Sequence, residues 1–238
     1  IKKNQIHICK LNNEKQINTS FSPSLDIILT MTLNELLKHS KACIFDMDGT
    51  LIDSLGIWSD IDKRFFAEMG KEVPKDYDKI ISHMSFKEMA QYTKDTYAVK
   101  ESVEEISKKW LDWSKDAYLY TIQAKKGAFE FLSYLKKNGY SLSLATTNKE
   151  ELYLPCLKRN KLDIFFDHIE NVNSLSTTKK EPKIYLHLAS LMHSSPDKTL
   201  VFEDILMAVK TAKDASFKVV SVYDKGNEKD IEEIKKTS

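Results

Sequence analysis

The sequence predicts an α/β fold: a parallel sheet with helices on both faces, interrupted near its start by a helical insertion. Three observations carry that expectation. Five short apolar runs lie at residues 42–45, 142–145, 168–169, 200–202 and 219–222, the third weaker than the rest. Each of the last four follows a stretch with apolar residues at helical spacing. Between the first and second runs, residues 55–121 hold almost no strand-like run and much helix-like sequence.

In order along the chain, residues 1–23 read as an irregular or extended lead-in and 24–38 as a helix. Within the latter, Thr32-Leu33-Asn34-Glu35 fits a capping box ahead of Leu36 and Leu37. Residues 1–40 together form an N-terminal extension. Ala42-Cys43-Ile44-Phe45 reads as a buried strand running into an acidic loop. The insertion offers helices at 61–69, 86–96 and 103–120, with Pro74 separating the first from the other two. A helical body beside an active-site loop can act as a lid, and extra packing is the plainer alternative. The later helices are marked by Phe129, Leu132 and Leu135, then by Leu152, Pro155, Cys156 and Leu157. Two more are marked by Ile184, Leu188 and Leu191, and by Ala208, Val209 and Ala212. The sheet domain then takes 41–54 and 122–238, and the insertion 55–121.

Composition narrows the class. Lys and Arg number 36 against 35 Asp and Glu, a net charge of +1, which gives no footprint for nucleic acid or a membrane surface. No apolar run approaches the ~20 residues that span a bilayer. An apolar fraction of 42% with 10% aromatics excludes a disordered chain. Cys9, Cys43 and Cys156 are scattered and form no CxxC pair, which reads as reduced thiols in a cytoplasmic protein.

The chemistry concentrates where the first strand ends, at Asp46-Met47-Asp48-Gly49-Thr50. In extended backbone Asp46 and Asp48 point the same way. Gly49 lets the chain turn, and the Thr50 hydroxyl can satisfy that turn. Two repelling carboxylates on one side of a site call for a divalent cation, and hard oxygen ligands suit Mg2+. A carboxylate can also attack phosphorus to give an aspartyl-phosphate, with a second acid moving the protons.

The run Asp46-Met47-Asp48-Gly49-Thr50-Leu51, followed by a helical insertion, resembles the first signature and cap of the haloacid dehalogenase-like (HAD) superfamily. The resemblance covers roughly residues 41 to 225. It implies a Rossmann-like parallel sheet with an inserted α-helical cap, Mg2+ as cofactor, Asp46 as nucleophile and Asp48 as acid/base. Ser143-Leu144-Ala145-Thr146-Thr147-Asn148 is similar to the second signature, implying that Thr146 and Thr147 hold phosphoryl oxygens. Lys179-Lys180-Glu181-Pro182 is similar to the third, which implies a charge-neutralising lysine. The proline usually found directly after that lysine is absent, so Lys179 is the first candidate and Lys180 the second. Leu200-Val201-Phe202-Glu203-Asp204 matches the fourth, implying metal ligands at Asp204 and at Glu203, the latter directly or through water. With Asp46 and Asp48 these complete the expected metal set.

Within that family an acid two residues after the nucleophile implies phosphoryl transfer rather than attack on carbon. The expected activity is Mg2+-dependent hydrolysis of a small phosphate monoester, such as a sugar phosphate. Sugar-phosphate mutases of the β-phosphoglucomutase type are the alternative, but Trp58 stands where they carry a cap-linker His. The stretch His83-Met84-Ser85-Phe86-Lys87 also lacks their phosphate-gripping Arg. A catalytically inactive binding module is a third reading. Trp58, His83 and Lys87 are candidates to face the site. Their plainer readings are an aromatic of the insertion core for Trp58 and ordinary polar positions for the other two. The expected partner is a small phosphorylated metabolite, with no nucleic acid and no membrane. Oligomeric state leaves no mark in the sequence.

Overall fold

The computed structural model describes residues 27–28, 33–81, 84 and 86–237. In chain order it begins with β1 (Ile27–Ile28), α1 (Leu33–Lys38) and β2 (Ala42–Phe45). Next come α2 (Ile57–Glu68), α3 (Tyr77–Ile81), α4 (Phe86–Tyr97) and α5 (Val103–Tyr120). The chain continues with α6 (Ala128–Lys137), β3 (Ser141–Thr146), α7 (Glu150–Arg159), β4 (His168–Asn171) and α8 (Lys183–Leu191). It closes with β5 (Thr199–Glu203), α9 (Leu206–Asp214), β6 (Lys218–Val222) and α10 (Ile231–Thr237). Two compact units result: Gly56–Thr121, and the chain on either side of it.

The flanking chain builds one sheet of order β1-β6-β5-β2-β3-β4. Strands β2 to β6 pair in parallel, and β1 joins the edge antiparallel to β6. Every residue of β2 and β5 is buried, which is why both read as unbroken apolar runs. Alternation divides their side chains between two faces. On one face Phe45 and Phe202, register partners on adjacent strands, stack with ring centroids 4.3 Å apart. Phe131 of α6 meets both edge-on at 6.1 and 5.6 Å. On the other face Ala42, Ile44 and Val201 share a cluster with Ile184 and Leu188 of α8 and Val209 and Ala212 of α9. Each large apolar side chain so buried contributes about 1.5–3 kcal/mol relative to exposure.

The chain steps outward from β2 to β3 and β4, then returns to the other side of β2 for β5 and β6. Strand order therefore reverses between β2 and β5, and crevices for ligands open at the carboxyl ends of strands at such a point.

Three expectations change. Residues 24–38 do not form one helix: Ile27 and Ile28 pair with Val222 and Ser221, and the described helix is Leu33–Lys38. The open edge of β6 supplies backbone partners to a β-branched pair, and pairing overrides the helical pattern. In α6 the buried stripe is Ala128, Phe131, Leu132 and Leu135, while Phe129 is exposed, and Leu191 in α8 is likewise exposed. Trp58 is 43% exposed and only edges onto Phe86, so it is not a core aromatic. Thr32 of the expected capping box, Cys9, the lead-in 1–23 and His83 lie outside the described residues.

The unit Gly56–Thr121 has its own core of Ile61, Phe65, Ala90, Val99, Val103, Ile106 and Trp110. Phe66 adds edge-on contacts to Tyr77 at 5.0 Å and Tyr97 at 4.9 Å. Its longest helix, α5, opens with a capping box between Ser102 and Glu105, which satisfies two N–H groups at the helix start. Among the described residues no helix is long and apolar enough to cross a membrane.

Candidate active site

The backbone leaves β2 by extending its pairing one residue, with the Asp46 N–H donating to the Phe202 carbonyl at 2.9 Å. It then turns back on itself. Leu51 and Ile52 donate to the Met47 carbonyl, and Gly49 donates to that of Ile52. Gly49 holds φ at +77°, and a Cβ there would lie 2.8 Å from Asp204 Cγ. Both the dihedral and the close approach of a carboxylate require glycine at this position.

Around that turn lies a buried ion cluster. The Lys179 ammonium donates to Asp46 Oδ1 and, at 2.6 Å, to Glu203 Oε1. Tyr185 donates its hydroxyl to the same Glu203 oxygen at 2.7 Å. Asp204 accepts from the Thr50 hydroxyl at 3.4 Å and from Asn227 Nδ2 at 2.6 Å. Asp46, Glu203 and Asp204 each bring a carboxylate oxygen within 4.8 Å of the other two. Burial opposes the Lys179 charge, but Asp46 and Glu203 more than offset it and raise its pKa. Burial drives Asp204 well above the usual carboxylate range, with Asp46 and Glu203 adding repulsion. Burial likewise raises Glu203, against the pull of Lys179.

Asp48 stands apart from this cluster. Its Oδ1 accepts from the Ser54 hydroxyl at 2.7 Å and its Oδ2 from Asn148 Nδ2 at 2.5 Å. The turn after Asp46 sends the two acids to different partners, where an extended segment would have kept them together. Thr146 is buried at the end of β3, and its Oγ1 accepts from the Asn148 N–H at 3.1 Å. Thr147 is exposed. Lys179 is buried and Lys180 exposed, so it is Lys179 that reaches Asp46 and Glu203. Ser54, Asn148 and Tyr185 were not predicted as site residues. The signal available for Asn148 is position, two residues past the end of β3, and for Ser54 its place just after the signature run that ends at Leu51.

A divalent cation fits this donor set. Glu203 is fully buried, and its Oε2 has no hydrogen-bond partner among the described residues. Lys179 bonds two of the three buried carboxylates, and the Lys125 ammonium that acts on Asp204 is itself paired with Asp224, which leaves excess negative charge that a hard cation would relieve.

The model of the haloacid dehalogenase-like hydrolase family matches residues 43–222. The chain belongs to that family. Among the HAD relatives, a phosphorylated carbohydrates phosphatase of Thermotoga maritima is 28% identical over 175 residues, covering 74% of this chain and 81% of its own. Pyrophosphatase PpaX of Bacillus cereus is 25% identical over 181 residues, covering 75% and 81%. A solved structure from Thermotoga maritima, carried under a provisional beta-phosphoglucomutase name, superposes with a TM-score of 0.69 at 27% identity. It covers 75% of this chain and 83% of that one. With phosphatases as its named relatives, the chain is a HAD-type phosphoric monoester hydrolase, and its sheet is the family's Rossmann-like α/β core.

Proposed function

We propose that this HAD hydrolase is a Mg2+-dependent phosphatase that removes phosphate from a small phosphorylated metabolite, a sugar phosphate by preference, through an aspartyl-phosphate on Asp46. The observation that carries this reading is the separation of the two acids. Lys179 donates to Asp46 Oδ1 and leaves Oδ2 to attack, while Ser54 and Asn148 donate to Asp48. Nucleophile and proton carrier thus have separate supports.

Asp46 Oδ2 would attack phosphorus in line, and the bond from phosphorus to the ester oxygen breaks as Asp48 passes its proton to the departing alcohol. Asp48 then takes a proton from water. The resulting hydroxide attacks phosphorus, breaks its bond to Asp46 and releases phosphate. Lys179 offsets phosphoryl charge, and the main chain and hydroxyl of Thr146, with Thr147 beside it, would hold phosphoryl oxygens. A Mg2+ ion held by Asp46, Asp204 and Glu203, with Asp48 as a further candidate, would neutralise charge and align the phosphate.

The unit Gly56–Thr121 would serve as the cap that selects substrates. Cys43 and Cys156 are free and buried, in keeping with a reducing compartment such as the cytoplasm. Similarity to the Thermotoga structure with a mutase name favours one second reading, phosphoryl transfer within a hexose phosphate.

Purified chain with Mg2+ should release phosphate from a generic aryl phosphate and from some members of a sugar-phosphate panel. No release across the panel overturns the phosphatase reading. Conversion of a hexose 1-phosphate to the 6-phosphate, without free sugar, would establish the mutase in its place.

A further inference from the structure

The segment after β6, a loop that opens into a short 3₁₀ turn at Lys225–Asp230, reaches Asp204 from outside the matched family segment, which ends at residue 222. Asn227 Nδ2 donates to Asp204 Oδ2 at 2.6 Å and to the Asp204 main-chain carbonyl at 3.2 Å. The loop that carries Asn227 is itself pinned. Asp224 accepts from the Gly226 N–H at 2.9 Å and pairs with the Lys125 ammonium at 2.6 Å, each side chain only 8% exposed. The same ammonium donates to the carbonyl of Tyr223 at 3.1 Å and to that of Gly49. One buried cation therefore ties the loop after β6 to the turn that carries Asp46. Gly226 packs closely beside Leu55, where a Cβ would lie 2.9 Å from the flexible Cδ1 and 3.2 Å from Cβ.

We propose that Asn227 is a positioning residue for the cation ligand Asp204, held in place by the Lys125–Asp224 pair. This rests on the reading of Asp204 as a Mg2+ ligand. The choice of an amide is chemically apt. An N–H donor fixes a carboxylate oxygen without adding a positive charge of its own. An ammonium in that place would compete with the metal. Thr50 approaches Asp204 only at 3.4 Å, which leaves Asn227 as the better of its two side-chain donors.

The test is Mg2+ binding to the full chain by titration calorimetry without substrate, beside melting in EDTA, for wild type, Asn227→Ala and Lys125→Met. Asn227→Ala is expected to weaken Mg2+ binding about 10- to 100-fold. The Mg2+ needed for half-maximal aryl phosphate hydrolysis rises by the same factor, kcat returns at saturating Mg2+, and KM for the ester stays put. Lys125→Met weakens binding in the same direction by loosening the loop. If Asn227→Ala fails to fold, Asn227→Ser is measured in its place, with the same weakening expected. A folded variant that binds Mg2+ as tightly as wild type overturns the proposal, including one that merely melts lower in EDTA. If wild type itself neither binds Mg2+ nor hydrolyses phosphate esters, the underlying reading falls first and this one with it.

Discussion

Lys179 donates to Glu203 Oε1 at 2.6 Å, and the other oxygen of that fully buried carboxylate has no hydrogen-bond partner among the described residues. The same ammonium, shared with Asp46, bonds two of the three carboxylates in the cluster. The imbalance makes the cluster a receptor for more positive charge, and the first predictions turn on it.

Lys179→Met should cut kcat on an aryl phosphate by about 10²–10³. It should also destabilise the fold by about 3–5 kcal/mol, because it strands buried carboxylates. Added Mg2+ should recover part of the lost melting temperature. Lys180→Met should behave as wild type in both assays. Equal losses from the two variants would count against the placement of Lys179.

Asp46→Asn should abolish turnover while leaving melting nearly intact, since it changes charge but little volume. Asp48→Asn should act differently on p-nitrophenyl phosphate, whose leaving group departs without acid help. A rapid burst of nitrophenolate followed by slow turnover is expected, because the water step loses its base. Rapid-quench or stopped-flow absorbance reads this directly. A burst-free Asp48→Asn that is slow from the first turnover would reassign the acid.

Gly49→Ala should be among the most damaging single-methyl changes in the chain. It forces a side chain into φ +77° and against the Asp204 carboxylate. Mg2+ affinity should fall together with melting temperature. Gly139→Ala also places alanine at positive φ, +80°, but meets nothing within 4 Å, so it should lower stability alone.

Asp62, buried in α2, predicts a pH effect on the unit Gly56–Thr121. Burial, with Asp78 adding repulsion, pushes its carboxyl up to about 7. The folded state therefore favours the protonated acid. Its contribution is fully present below the ordinary carboxylate pKa near 4 and is lost as pH rises through about 7. Asp62→Asn should melt several degrees above wild type at pH 8, with the gap closing toward pH 4. An equal gap at both values would show that ionisation of Asp62 is not the cause.

Much of the sheet was legible along the chain. Strands β2 and β5 are buried on both faces, so each carries a short apolar run, at residues 42–45 and 200–202, whose length suits a strand rather than a helix. β4 was faint because every residue in it is only half-buried at an edge. β1 was hidden altogether, because what makes Ile27-Ile28 a strand is the free edge of β6, almost two hundred residues away. Phe129 lies off the buried face of α6 for a smaller reason: a helix with Phe129 and Phe131 can be rotated to bury either, and the Phe45–Phe202 stack decides for Phe131.

By itself the sequence determined where chemistry can sit. Three of the five apolar runs end beside reactive residues, and that adjacency is covalent, so Asp46, Asp48, Thr146, Glu203 and Asp204 could be named without coordinates. Only the tertiary structure decided how they group. Strand order places β5 against β2, which brings Glu203 and Asp204 to Asp46 and buries Lys179 rather than Lys180 among them. The turn at Gly49 sends Asp48 away to Ser54 and Asn148, and the loop after β6 delivers Asn227 to Asp204. Partners more than 150 residues apart, such as Thr50 and Asp204, meet through sheet register and loop closure, and neither leaves a local pattern to read.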